Sequence, residues 1–321
     1  MTKYGFVSSI PATEGNYDVT LITQTSTLRL FYFPYLLSRW SGPMVAAIFL
    51  KKADEEEFKE FINAVSLSQR LHLVRYRPVD ESIYPYNKLR NIAVARVTTS
   101  HFWVADMDMW PAENVYETLR SLPEQVLSND FMAVIVPAFE YKKLPNCDDF
   151  VPCVKKVIPH VPRNRHELTG CISQQMCQPF RPGAWVHDYL TEDWYREDYH
   201  NPLLMVPCFK SVKQEPYVMV KRSVYLPPFD ERFINYGKDK ISWIEHLRYS
   251  GYLFGVLKDA FAIDIPHPRS ELAKVFYNKL FTEGGMSIDM NILWLDFVKE
   301  LHEKYPDRSV TYLCDKLGKD Y

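Results

Sequence analysis

The chain has 321 residues, of which 47% are hydrophobic, and a formal net charge of −2 with both signs interspersed. Such a chain can bury a large core, and without a basic block we expect no nucleic-acid partner. No run of 18 apolar residues occurs and the first fifteen residues lack a signal-peptide pattern, so the sequence as written predicts a soluble, cytoplasmic chain with no transmembrane segment.

Strand and helix patterns alternate over the first part of the chain. Apolar or β-branched runs predict strands at 17–25, 42–50, 71–78, 101–106 and 131–139. Apolar residues at helical spacing predict helices at 27–40, 53–69, 85–100 and 112–127, the first of them kinked or started by Pro34. This alternation indicates parallel strands with helices on both faces, a class in which ligands bind beyond the carboxyl ends of the strands.

The pattern changes beyond residue 139. Residues 140–165 hold several prolines and little periodicity, which predicts a long loop, and a helix is expected at 166–178. A strand at 215–224, a helix and a strand within 237–257, and amphipathic helix from 270 onward complete the pattern. These patterns predict the fold class α/β, with a central sheet flanked by helices and a helical C-terminal extension.

Two carboxylates stand directly after the fourth predicted strand. The apolar run 102–105 is followed by Asp106 and Asp108, one residue apart. If the chain turns there, Met107 points away and both carboxylates can bind one divalent cation; hard oxygen ligands suit Mn²⁺ or Mg²⁺. The alternative is a solvated turn, because aspartate is common at strand ends. The position at the carboxyl end of a strand favours the metal site.

Two further segments carry polar groups suited to such a site. His267 stands between two prolines after the last predicted strand, and a neutral imidazole ligand would favour Mn²⁺ over Mg²⁺. Asn87, Arg90 and Asn91 lie near a predicted helix start, where an arginine with two amides can hold a diphosphate or sugar hydroxyls. The alternatives are a structural histidine and a solvated helix face.

Other phosphate-binding and nucleophile motifs are absent. The sequence has only 11 glycines and no glycine-rich phosphate loop, so a bound nucleotide diphosphate would need a cation to neutralise it. The six cysteines have no zinc spacing, and they leave both disulfides and buried thiols open.

Several segments together resemble a known family, in the order in which its members carry them. They are "DVTLITQTSTLRL", "GPMVAAIFL", "YPYNKLRNIAVARVTTSHFWVADMDMWP", "EPYVMVKRSVYLPPFDERFINYGKDKISWIEHLRYSGYLFGVL" and "DIPHPRS". From about residue 17 to 270 the chain resembles the glycosyltransferase family that contains the β-1,4-glucuronyltransferase and the glucuronyltransferase half of LARGE-type enzymes.

The resemblance implies a GT-A fold with a mixed central sheet, a UDP-sugar donor (UDP-glucuronate in the best-known members), Mn²⁺ with Mg²⁺ as the alternative, and a glycan acceptor. We expect one catalytic domain at 17–270, with a nucleotide-sugar half at 17–139 and an acceptor half at 140–270. An N-terminal arm at 1–16 and the helical extension at 271–321 flank it. The relatives are Golgi type II membrane proteins, so the Golgi lumen is the alternative compartment if an anchor has been removed.

The resemblance also assigns roles to individual residues. The implied metal ligands are Asp106, Asp108 and His267. The implied donor-binding residues are Thr23, Gln24, Asn87, Arg90, Asp106, Met107 and Asp108.

Transfer with inversion needs a base for the acceptor hydroxyl, and "PFDERF" supplies Asp230 first and Glu231 second, with a salt-bridged turn as the alternative. A glucuronate carboxylate would need a cation such as Lys238, Lys240 or Arg90. Two other functions remain open, namely the same fold with UDP-xylose, UDP-galactose or UDP-N-acetylglucosamine as donor, and a non-catalytic sugar-binding protein.

Overall fold

The structure, a computed structural model, describes residues 17–64, 68–142, 149–196, 201–235, 237–268, 274 and 288–314. The predicted arm at 1–16 and parts of the predicted extension lie outside these residues. No helix among the described residues is long and apolar enough to cross a membrane.

The described strands, in chain order, are β1 Val19–Ser26, β2 Met44–Phe49, β3 Leu71–Tyr76, β4 His101–Val104, β5 Met109–Pro111, β6 Met132–Ile135, β7 Ala138–Tyr141, β8 Cys177–Pro179, β9 Leu203–Met205, β10 Cys208–Phe209, β11 Val218–Lys221, β12 Leu253–Leu257, β13 Ala262–Asp264 and β14 Tyr312–Leu313. The α-helices are α1 Phe33–Arg39, α2 Glu55–Ala64, α3 Tyr86–Val94, α4 Val115–Arg120, α5 Glu124–Leu127, α6 Phe150–Val157, α7 Arg165–Ser173, α8 Glu192–Tyr195, α9 Asp239–Tyr249 and α10 Ile288–Lys304.

The central sheet has eight strands in the order β3-β2-β1-β4-β11-β6-β12-β9. β3, β2, β1 and β4 pair in parallel, whereas β11 runs antiparallel to both β4 and β6. The side chains of β2 and β4 are buried on both faces, as the continuous apolar runs predict for strands covered by helices. The predicted α/β class with a mixed central sheet is therefore confirmed.

A second sheet continues from the first and has the order β5-β13-β7-β8. The chain enters it three times directly from the central sheet, from β4 into β5, from β6 into β7 and from β12 into β13. At the second crossing Pro137 has no amide to donate, and its carbonyl accepts from Ala262 of β13 at 2.8 Å. The predicted single strand at 131–139 is thus wrong, because the chain changes sheets at this proline.

Three other predicted segments differ from the structure. The helix predicted at 112–127 is divided into α4 and α5 at Pro123, which cannot occupy a helix interior. The loop predicted at 140–165 contains α6, whose Val154 and Val157 are buried in the core. The helix predicted at 166–178 ends at Ser173, and β8 follows it.

The helical C-terminal extension is confirmed over α10. Phe297 and Leu301 of this helix form a small buried cluster with Phe233, which lies just before α9. After the helix, β14 pairs with β10, and a disulfide joins Cys208 to Cys314. A second disulfide joins Cys171 in α7 to Cys177 in β8. The cysteines that the sequence leaves undecided are therefore bonded at these positions.

Candidate active site

The two aspartates lie where the chain passes from the central sheet to the second sheet. β4 ends at Val104, and the amide of Met109, which starts β5, donates to the Asp106 carbonyl at 2.9 Å. The side chain of Met107 is buried in the core between them. Both carboxylates therefore remain at the carboxyl end of the central strands, the edge at which α/β sheets bind ligands.

Asp108 is joined to the histidine that follows β13. Oδ2 of Asp108 lies 2.7 Å from Nε2 of His267, and Nδ1 of His267 lies 2.7 Å from the carbonyl oxygen of Pro268. That carbonyl accepts from Nδ1 and the Asp108 carboxylate accepts from Nε2, so both ring nitrogens donate. Because the carbonyl holds Nδ1–H, loss of the Nε2 proton would leave a lone pair for a cation, as metal-ligating histidines are arranged. Although burial lowers it, the pKa of His267 is raised overall by its bond to Asp108.

A cation from the first part of the chain contacts the same pair. Nη1 of Arg29 donates to Oδ2 of Asp108 at 2.7 Å, and Nη2 lies 3.3 Å from Nε2 of His267. Burial alone would raise the pKa of Asp108, but Arg29 and His267 hold it well below its usual range. Asp108 is therefore ionised at neutral pH.

A third ligand candidate, Asp264, completes a compact group. One ligand atom each from Asp108, Asp264 and His267 lie within 4.8 Å of one another. Asp264 ends β13 opposite Met109 of β5, and this pairing brings Asp264 to the turn that holds Asp106 and Asp108. Burial and the negative charge of Asp108 raise the pKa of Asp264 to about 8. Two carboxylates and one imidazole at this spacing fit a divalent cation such as Mn²⁺.

Asp106 lies outside this group and is surrounded by hydrogen-bond donors. Its Oδ2 accepts from Nζ of Lys240 at 2.7 Å and from the Tyr217 hydroxyl at 3.0 Å. Its Oδ1 accepts from Nη2 of Arg90 at 3.3 Å. Against the effect of burial, Lys240 and Arg90 lower the pKa of Asp106 to about 2. Asp106 is thus a fixed negative charge beside the candidate metal group.

Asn87 and Arg90 are buried, and they contact protein groups. Nη1 of Arg90 donates to Oδ2 of Asp239 at 2.7 Å and to the Asn87 side chain at 2.9 Å. Asn87 in turn donates to the carbonyl of Asp230 at 2.8 Å. In the structure this part of α3 positions Asp106 and the segment before α9.

Thr23 and Gln24 lie in the C-terminal half of β1, and both are buried. The hydroxyl of Tyr84 donates to the Gln24 side chain at 2.5 Å. Oγ1 of Thr23 has no hydrogen-bond partner in the described part of the chain. A buried hydroxyl without a protein partner is available to a ligand group.

The two candidates for the base differ in their surroundings. Both oxygens of Asp230 accept from Arg232, which also donates to Glu300. Glu231 is exposed and accepts from Asn91 at 3.0 Å. The structure brings neither carboxylate into a bond with the aspartates of the site.

Of the cations considered for a glucuronate carboxylate, Lys240 and Arg90 are bonded to Asp106. Lys238 stands at the N-terminus of α9 with a φ of 57° and lies over the Trp294 ring, 4.7 Å from its centroid. Burial and the charge of Lys213 lower the pKa of Lys238 to about 8.

Sequence reasoning missed Arg29, Asp264 and Tyr217. Asp264 carries the same signal as the first aspartates, a carboxylate at the end of an apolar strand, and only two residues stand between it and His267. Arg29 lies in the turn after β1, where nothing local marks it. Tyr217 stands directly before β11, whose pairing with β4 brings it to Asp106.

Residues 65–265 match the model of a family described as glycosyl-transferase for dystroglycan. The rat xylosyl- and glucuronyltransferase LARGE2 is 29% identical over 314 residues, which cover 96% of this chain and 42% of the relative. The human xylosyl- and glucuronyltransferase LARGE1 is 27% identical, over 92% of this chain and 37% of the relative. The chain therefore spans less than half the length of these relatives.

Solved structures give more distant matches. GalNAc-T7 with UDP, GalNAc and Mn²⁺ is 10% identical with a TM-score of 0.48, covering 91% of this chain and 59% of that one. The mannosyltransferase PcManGT from Pyrobaculum calidifontis with GDP-Man and Mn²⁺ is 14% identical with a TM-score of 0.42, covering 84% and 62%.

Proposed function

This chain belongs to the family of glycosyl-transferases for dystroglycan, and from that premise we propose that it is a metal-dependent, inverting transferase that moves a sugar from a UDP-sugar to a glycan acceptor. Glucuronate is our first choice of sugar, because the similar LARGE proteins are named as xylosyl- and glucuronyltransferases. Xylose, named there too, is the second.

The group formed by Asp108, Asp264 and His267 carries this proposal. Their ligand atoms lie together at the carboxyl edge of the sheet, and the Nδ1 bond to Pro268 presents Nε2 of His267 toward the group. These residues would hold Mn²⁺, with Mg²⁺ as the alternative, and the cation would offset the negative charge that develops on departing UDP. We propose Asp264 as a ligand together with the predicted Asp108 and His267. Asp106 stays a predicted ligand, which in the structure lies beside this group.

Neighbouring side chains would bind and orient the donor. Arg29 reaches the metal group from the β1 side and can donate to a diphosphate oxygen. Thr23, whose hydroxyl has no described protein partner, and Gln24 would contact the nucleoside. Arg90 and Asn87 hold Asp106 and the segment before α9 in place. Asp230 and Glu231 stay the predicted candidates for the base.

The disulfides bear on the compartment. Each of the five cysteines among the described residues is disulfide-bonded, including Cys153. Disulfides persist in oxidising compartments and are rare in the cytosol. We therefore propose that the chain works in a secretory compartment such as the Golgi lumen, rather than in the cytoplasm that the sequence first predicts.

A panel of donors tests the proposed function. The protein with Mn²⁺ is incubated with UDP-glucuronate, UDP-xylose, UDP-galactose and UDP-N-acetylglucosamine, and released UDP is measured with and without sugar acceptors. We expect release above background from UDP-glucuronate, and its loss with EDTA. No release from any donor would contradict the transferase function, and release from another donor alone would reassign the sugar.

A further inference from the structure

Beside Asp106 lies a polar cluster that the proposed function does not use. Its members are His187, Gln214, Glu215 and Tyr217, with Arg181 at the outer edge. Tyr217 connects the cluster to the site, because its hydroxyl donates to Asp106 at 3.0 Å and Lys240 lies 4.0 Å from its ring centroid. Groups in this cluster are therefore close to the place where a donor sugar would lie.

Several buried polar atoms of the cluster have no hydrogen-bond partner among the described residues. They are Nε2 of His187 and both polar atoms of the Gln214 side chain. The side chain of His187 is only 1% exposed, and Gln214 is equally buried. Because buried polar groups are nearly always hydrogen-bonded, the unbonded Nε2 of His187, whose ring stacks on Tyr217, indicates a place for a polar ligand group such as a sugar hydroxyl.

His187 is held so that one nitrogen faces Glu215. Its ring stacks on Tyr217 at 5.5 Å with an interplanar angle of 13°, and Nδ1 lies 3.3 Å from the Tyr189 hydroxyl. Burial, with Lys240 and Arg181 nearby, lowers the pKa of His187 well below its usual value, so the ring is neutral. When Tyr189 donates to Nδ1, Nε2 carries the proton and faces Oε1 of Glu215 across 4.0 Å.

Apart from the proposed metal ligand Asp264, Glu215 is the carboxylate near Asp106 whose contact to a cation is longest. Its Oε1 accepts a long hydrogen bond, 3.4 Å, from Nη1 of Arg181. Burial raises the pKa of Glu215 and the charges of Asp239 and Asp106 add to this, while Lys240 and Arg181 act in the opposite direction. A carboxylate with a raised pKa is a stronger base than an exposed one.

The other carboxylates nearby are bonded to cations or point elsewhere. Asp230 is held by Arg232, and Asp239 accepts from Arg90 at 2.7 Å. Glu231 is exposed. A carboxylate paired with a guanidinium is a weak base, because the cation stabilises its ionised form. The geometry therefore favours Glu215 over the candidates that the sequence predicts.

We propose that Glu215 is the base of the transfer reaction. Its carboxylate takes the proton of the acceptor hydroxyl, whose oxygen bonds to the anomeric carbon as the bond from that carbon to the phosphate oxygen breaks and UDP leaves with the electron pair. His187 acts as a positioning residue that directs its Nε2–H toward Glu215, 4.0 Å away, without adding a positive charge. This inference rests on the proposed function and adds the acceptor side of the site to it.

Hydrolysis of the donor tests the proposal without knowledge of the acceptor, since water then takes the place of the acceptor hydroxyl and needs the same base. UDP release from UDP-glucuronate with Mn²⁺ is compared in the wild type, Glu215→Gln, the competing candidate Asp230→Asn and the control Asp193→Asn, whose carboxylate is exposed and pairs with Arg196. We expect Glu215→Gln to lower the rate by about 100-fold or more, while UDP affinity measured by calorimetry stays within about twofold and Asp193→Asn stays near the wild type.

The outcomes separate this inference from the proposed function. If the wild type releases UDP and Glu215→Gln does so equally fast, Glu215 is not the base, and the transferase function stands. If Asp230→Asn alone loses activity, the base is Asp230. If the wild type neither binds nor releases UDP, the proposed function itself fails. Should Glu215→Gln not fold, Glu215→Asp keeps the carboxylate, and its partial activity with an unchanged melting temperature supports the proposal.

A pH profile tests His187. The wild-type rate is expected to fall on the acid side as Glu215 becomes protonated. His187→Phe keeps the stacked ring but removes the N–H that faces the carboxylate. The ionised form of Glu215 then loses a favourable dipole, so its pKa rises and the acid limb moves to higher pH. A merely structural role for His187 would lower the rate equally at all pH values, and that result would overturn its positioning role.

Discussion

Lys240→Met is expected to destabilise the fold, because it removes a donor from a buried carboxylate. Lys240 and Asp106 pair at 2.7 Å with side chains 7% and 24% exposed. Breaking a buried pair by removing one partner costs about 3–5 kcal/mol. Since Tyr217 and Arg90 still donate to Asp106 and water reaches it in part, we expect a loss of about 2–3 kcal/mol in the free energy of unfolding.

Urea unfolding followed by tryptophan fluorescence measures this loss. The matched control is Lys59→Met, which removes a lysine paired with Glu56 on the exposed face of α2. Such a surface pair contributes about 0–1 kcal/mol, so the control should unfold close to the wild type. An equal stability of Lys240→Met and the wild type, or an equal loss in both variants, would refute the account of Asp106 as a buried ion held by its donors.

Two further predictions concern the stability of the sheet and its extension. Burial lowers the pKa of His101 to about 4 from the ordinary 6.5, so the folded chain binds fewer protons than the unfolded chain, and this stability is lost as pH falls from 6.5 toward 4. Between pH 7 and 4.5, the free energy of unfolding of His101→Gln should therefore fall by about 2 kcal/mol less than that of the wild type. Urea titrations at each pH measure this difference, and an equal pH dependence in the two proteins would contradict the lowered pKa of His101. The disulfide Cys208–Cys314 closes a separation of 106 residues and Cys171–Cys177 one of 6, so chain entropy predicts losses of about 5 and about 2 kcal/mol when each pair is replaced by serine. Equal losses in guanidinium unfolding would contradict that reasoning.

The sequence was most informative where the signal is local. Asp106 and Asp108 were found because a buried strand that ends on two carboxylates is unusual, and their place at the carboxyl edge followed from the strand–helix alternation. His267 was found from its two flanking prolines. In each case a few consecutive residues carry the pattern.

The features that depend on distant pairing could not be found in this way. The division of 131–139 between two sheets depends on which strand each half pairs with, and an apolar run looks the same in both cases. Arg29 meets Asp108 across 79 residues, and Lys240 meets Asp106 across 134. Hydrophobic periodicity reports only local structure and gives no information on contacts between residues so far apart in the sequence. The contacts of Arg29 and Lys240 with the aspartates are therefore visible only in the folded chain.

Calorimetric titration of UDP into the protein tests the central claim most directly. The titration is made with Mn²⁺, then with EDTA, in the wild type, in Asp108→Ala and in the control Asp193→Ala, whose carboxylate is exposed and pairs with Arg196. We predict binding that requires Mn²⁺, disappears in Asp108→Ala and persists in Asp193→Ala. UDP binding that ignores both EDTA and the loss of Asp108, or no binding at all in the wild type, would contradict the proposed metal-dependent site.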